Sequence, residues 1–73
     1  MIFKEASTVF GDTLSTTFPD TDHSISESRY LIIGFSNKNR ILVISHTYRR
    51  ENIRIISARQ ATARERKFYE SKK

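Results

Sequence analysis

The 73-residue chain has no cysteine, one proline and two glycines. Without cysteine there is no disulfide staple and no zinc–cysteine site, which fits a reducing cytoplasm. Two glycines leave no room for a glycine-rich phosphate loop. The sequence also has no nucleophile elbow and no His-Glu-x-x-His zinc pair. Its longest uncharged runs, 30–37 and 41–48, fall far short of the ~20 apolar residues that span a bilayer. No basic start leads into an apolar run and a small-residue cleavage site. The expectation is a cytoplasmic chain with no membrane partner and no cofactor.

What is present is positive charge in one half. Residues 1–36 hold two basic and five acidic side chains, whereas residues 37–73 hold eleven and three. A basic half on a chain that forms one small domain, residues 1–73, points to a polyanion such as nucleic acid. A solvated, lysine-rich surface is the plainer alternative. A chain this short buries only about 60% of its unfolded surface, so the core will be thin.

Periodicity predicts an α+β fold. Phe3, Ala6 and Phe10 recur on one face of a helix over 1–10, which starts without a cap and ends at Gly11, a residue that tolerates left-handed backbone. Residues 13–18 form a weak strand stopped by Pro19. The polar stretch 19–28 is the longest loop. Its Asp20, Asp22 and His23 could in principle bind a hard metal. Aspartates in a turn more commonly bond their own backbone, so no metal is assigned. Strands follow over 29–35, 40–48 and 53–58, joined by short turns at 36–39 and 49–52. Turns this short make an antiparallel meander of three to four strands. The second and third of these strands are apolar on both faces, which calls for a helix on each side, and 53–58 reads as buried. Thr62-Ala63-Arg64-Glu65 is a capping box that opens a C-terminal helix.

Seven candidate side chains stand out. Arg54 and Arg59 lie in or beside an apolar strand, where a guanidinium is costly unless paired or facing solvent. With Arg29 they can converge on one side of the sheet, and clustered guanidinium groups suit phosphate. Pairing with Glu27, Glu51 or Glu65 is the structural alternative. Arg64 and Arg66 fit a solvated helix face that can also touch phosphate. His46 is the one group in the sheet suited to proton transfer near neutral pH, yet a histidine among Leu42 and Ile44 more often packs in the core. Tyr69 can stack on a base or donate a proton, or simply pack on the sheet. Phe68 is expected to be the deeper of the two. Residue chemistry alone ends at a small basic domain that meets nucleic acid.

The segments Phe3-x-Glu5-Ala6-x-x-Val9-Phe10, Phe18-Pro19-Asp20-x-Asp22-His23-Ser24, Glu27-x-Arg29 and Ile33-Gly34 resemble the BrnT family of ribonuclease toxins. So does Arg54-Ile55-Ile56-Ser57-Ala58-Arg59-x-Ala61-Thr62-x-x-Glu65-Arg66-x-x-Tyr69-Glu70. This last motif is the most specific. The resemblance implies a RelE-like fold and metal-independent RNA cleavage. It also implies a BrnA-like antitoxin, and operator DNA bound only through the toxin–antitoxin complex. On that basis Arg54 and Arg59 would stabilise phosphate, with Arg29 and Arg64 in support. Tyr69 or His46 would handle protons, and nearby arginines would depress the tyrosine pKa. Family members begin with a further N-terminal segment, and this chain starts inside the family pattern. An uncapped helix at residue 1 is the expected mark of that shortening. The alternative reading is therefore a weak or inactive remnant that binds antitoxin or nucleic acid without cutting.

Overall fold

The computed structural model describes residues 3–20 and 28–71. Asp22 and His23, the second and third members of the metal trio considered above, lie outside them. The chain runs α1 (Phe3–Ser7), a 3₁₀ turn (Thr8–Gly11), β1 (Thr16–Pro19), β2 (Tyr30–Phe35), β3 (Ile41–Arg49), β4 (Asn52–Gln60) and α2 (Ala63–Glu70). The four strands form one antiparallel sheet in the order β1-β2-β3-β4. This is the expected α+β meander with a helix near each end.

Hydroxyls help end α1. Ser7 Oγ donates to the carbonyl of Lys4 and Thr8 Oγ1 to that of Glu5, so each competes for a helical acceptor. Gly11 is not left-handed, contrary to expectation. The 3₁₀ turn closes with Asp12 N bonded to Val9 O, and the Asp12 carboxylate then caps the next turn through Leu14 N. The buried residues of this segment are Glu5, Ala6 and Val9, with Phe10 half-buried and Phe3 exposed. The packing face is therefore rotated from the Phe3–Ala6–Phe10 line. A tightened 3₁₀ turn does not keep the 3.6-residue period.

The β2–β3 turn places Asn39 at φ 61°, as its asparagines suggested, and Arg50 carries φ 55° in the two-residue β3–β4 turn. β3 is the spine of the molecule. Leu42 and Ile44 pack with Ile32, Ala6 and Val9 on one face, whereas Ile41 and Val43 pack with Ile33 and Tyr69 on the other. The two helices thus cover opposite faces of the central strands. β4 corrects an expectation, because none of its residues is buried and Ile53 is 45% exposed. At the edge of the sheet β4 has a strand on one side only, and although α1 contacts it, its isoleucines are only partly covered. Gly34 in β2 marks a close approach of the N-terminal turn to the sheet. A β-carbon there would lie 2.9 Å from Ser15 Cβ and 3.0 Å from both Asp12 Oδ2 and Val9 Cγ1.

Candidate functional site

β4 and α2 meet at Thr62, and the expected capping box is present. Thr62 Oγ1 accepts from Glu65 N at 3.2 Å, and Glu65 Oε1 accepts from Thr62 N at 2.9 Å. The same carboxylate takes two bonds from Arg59, Nη1–Oε1 at 2.6 Å and Nη2–Oε2 at 2.9 Å. One carboxylate thus orients the strand's last arginine and starts the helix. The Arg59 guanidinium, helped by the Thr62 bonds, holds the Glu65 carboxyl down to about 2. Glu65 in turn pushes the arginine further up.

Arg59 borders a groove of about 350 Å³ together with Asp20, Arg29, Leu31, Ser45, Ile56 and Ser57. Register explains the grouping. Arg59 pairs with Val43, Ser57 with Ser45, and Ser45 with Leu31, and cross-strand partners share a face. Arg54 pairs with Thr47, two residues beyond Ser45, so it lies further along that face. The register thus places Arg54 and Arg59 on one side of the sheet. Arg29 and Arg59 share a single groove. Arg59 is exposed, so part of its guanidinium faces solvent, whereas Arg29 is half-buried with its Nε shielded from solvent. Glu65 takes two of the five N–H donors of Arg59.

The other candidates lie elsewhere. Arg66 borders a separate hollow beside Phe35, Asn39, Arg40 and Glu70, and Arg64 is exposed on α2. His46 is fully buried on the opposite face, ringed by Phe10, Tyr30 and Tyr48. Its Nδ1 contacts the carbonyl of Ile44 at 3.3 Å, and its Nε2 has no partner among the described residues. Burial pushes the imidazole pKa down, so the neutral ring is favoured. Tyr69 shares the arginine face but lies under α2 at 1% exposure, whereas Phe68 is 48% exposed. The expectation that Phe68 is the deeper residue is reversed. One turn of a short helix cannot bury adjacent positions, and the bond from Tyr69 to Asp12 decides which one faces the sheet. Burial, and then the Asp12 carboxylate, push the phenol up to about 12. The expected depression by arginines does not occur.

Two groups escaped the sequence reading. Glu5 is buried and accepts from Ser36 Oγ at 2.7 Å and from Arg40 Nε at 2.9 Å. Arg40 and then Ser36 hold its carboxyl down to about 2. No local spacing connects residues this far apart. Asp20, read as a loop residue, lines the groove, and its N–H donates to the Arg29 carbonyl at 2.9 Å. Pro19 did not end that pairing, because proline is tolerated on an edge strand. Among the described residues no group of three or more His, Asp or Glu could hold a metal ion. None of the described helices is long and apolar enough to cross a membrane.

A comparison with protein families matches residues 1–65 to the ribonuclease toxin, BrnT, of type II toxin–antitoxin systems. No curated protein matches the chain. The matched span takes in Arg29, His46, Arg54, Arg59 and Arg64, and it stops short of Arg66 and Tyr69. With most of its length matched, including the β4 arginines and the capping box, the chain belongs to the BrnT family of ribonuclease toxins.

Proposed function

We propose that this chain is an endoribonuclease that cuts RNA without a metal ion or cofactor, and that a BrnA-like antitoxin neutralises it. Membership of a type II toxin–antitoxin family implies an antitoxin partner. In this reading the pair, rather than the toxin alone, contacts operator DNA. The observation that carries the catalytic reading is the placement of Arg29 and Arg59 on one groove, with Arg54 further along the same face.

RNA brings its own nucleophile. The 2′-oxygen attacks the adjacent phosphorus and the bond from phosphorus to the 5′-oxygen breaks. The products are a 2′,3′-cyclic phosphate and a free 5′-hydroxyl. The protein must stabilise the extra negative charge on phosphorus, accept the 2′ proton and return one to the leaving oxygen. Arg59, oriented by Glu65, meets the first requirement, and Arg29 and Arg54 hold neighbouring phosphates. For the proton we favour Asp20, the carboxylate that lines the groove. Tyr69 is turned to Asp12 and His46 packs on the other face, so both are assigned to the fold.

One observation favours the alternative, a module that binds RNA or antitoxin without cutting. The Arg59 guanidinium is already engaged by Glu65. The deciding experiment incubates the purified chain with single-stranded RNA in the presence of a chelator. Cleavage to cyclic-phosphate ends should fall about 10²–10³-fold on Arg59→Ala, the loss typical of a removed charge-stabilising donor. A similar loss is expected for Arg54→Ala. Retained cleavage in both variants refutes the assignment, and RNA binding without cleavage by the wild-type chain selects the alternative.

A further inference from the structure

The middle of the groove differs chemically from its ends. Between Arg29 and Arg59 lie the apolar side chains of Leu31 and Ile56 and the hydroxyls of Ser45 and Ser57. The two serines face each other across β3 and β4. Neither hydroxyl has a hydrogen-bond partner among the described residues.

A sheet irregularity creates this arrangement. Strict alternation would send Ile56 and Ser57 to opposite faces of β4. The register shifts between Ser45 and His46, which pair with Ser57 and Ile55, so Ile56 is left without a partner. The bulge lets Ile56 and Ser57 line the same groove. The result is a small apolar floor, two adjacent groups that both donate and accept, and a guanidinium at either end. At about 350 Å³ the groove is at the low end of small-molecule sites.

We infer that this groove seats one unpaired nucleotide of single-stranded RNA and that Ser45 and Ser57 read the edge of its base. They would thereby determine where the chain cuts. This rests on the ribonuclease reading above and adds a specificity role to the same site. The base lies on Leu31 and Ile56, while Arg29 and Arg59 hold the flanking phosphates. A hydroxyl supplies both a donor and an acceptor. A base in a duplex hides its pairing edge, so the occupant must be single-stranded. A site built to hydrogen-bond a group discriminates strongly against analogues that leave its polar atoms unpaired.

The test uses four DNA oligonucleotides, each with one central ribonucleotide (A, C, G or U) as its single cleavable position. Binding is followed by anisotropy, and cutting by kcat/KM. Wild type should favour one base. Ser45→Ala or Ser57→Ala should cut that base about tenfold less well and the others nearly unchanged, flattening the preference. Ser57→Thr, which keeps the hydroxyl, should keep the preference. Arg59→Ala should lower all four together. Thermal melts of each variant show whether it is folded. If serine removal leaves the preference unchanged, or lowers all four in proportion, the inference fails while the ribonuclease reading stands. If wild type neither binds nor cuts any of the four, and Arg59→Ala behaves identically, both fail.

Discussion

The Tyr69 hydroxyl donates to Oδ2 of Asp12, closing a span of 57 residues between the C-terminal helix and the turn after α1. Asp12 Oδ2 also accepts from Phe35 N at 2.9 Å, and Oδ1 from Leu14 N at 3.0 Å. One carboxylate thus joins α2, β2 and the N-terminal turn. Tyr69→Phe removes a hydrogen bond to a charged acceptor and should cost about 1.5–3 kcal/mol of stability. Cleavage per folded molecule should not change. A denaturant melt alongside single-turnover cleavage checks both, and a fall in rate without a fall in stability would return Tyr69 to the proton chemistry. The same residue predicts alkaline behaviour. Its folded pKa, about 12, lies above the ordinary phenol value of 10.0. The unfolded chain loses the phenol proton first, so stability is full below pH 10 and declines as pH rises toward 12. Tyr69→Phe should lack that decline.

Arg59 and Glu65 give the second prediction. Both groups are partly solvated, so the ion pair itself is worth only about 0–1 kcal/mol. Its value lies in orientation. Glu65→Gln keeps the capping side chain but removes the charge partner, and it should lower the melting temperature by no more than a few degrees. Cleavage should fall further than stability, because Arg59 is no longer held against the groove. Enhanced cleavage in Glu65→Gln would show instead that the pair inhibits the arginine. Comparing kcat/KM with the melting midpoint separates the two.

Local chemistry made much of this legible in the sequence. The capping box at Thr62, the turn at Asn39 and the two-faced apolar pattern of β3 each follow from a few neighbouring residues. The exposure of β4 did not, because Ile53, Ile55 and Ile56 look alike whether a strand is central or at an edge. The groove depended on a bulge beside Ser57 that composition does not announce. Likewise, the choice of Tyr69 over Phe68 as the buried ring, and the Glu5–Arg40 pair, were set by partners distant in sequence.

Gly34 supplies the third prediction. The β-carbon in Gly34→Ala would press on Ser15 Cβ, Asp12 Oδ2 and Val9 Cγ1 at 2.9–3.0 Å. Ser15 Cβ and Val9 Cγ1 lie close to their own backbones, so the turn must shift as a whole. A loss of about 1–3 kcal/mol is expected, the usual cost of overpacking. The Asp12 bond to Phe35 N should loosen with it. Hydrogen exchange at the Phe35 amide reads that directly, and unchanged protection would show that the turn absorbs the methyl group elsewhere.

His46 sets the fourth prediction, on the acid side. Its ring packs against Phe10, Tyr30 and Tyr48, and no charged side chain is among these ring contacts. Burial lowers its pKa below the ordinary 6.5, so the folded state resists protonation while the unfolded chain accepts the proton. Stability should therefore begin to fall as pH drops through about 6.5, well before Glu5 or Glu65 titrates. His46→Leu removes the titrating group and keeps an apolar side chain among the rings. Its melting temperature should stay flat between pH 7.5 and pH 5.5, while that of wild type declines. Below pH 4.5 both proteins should destabilise together, because Glu5 and Glu65 are held down to about 2 and lose their partners' stabilisation as they protonate. A wild-type melting curve flat from pH 7.5 to pH 5.5 would mean that the buried ring finds an acceptor for its second proton.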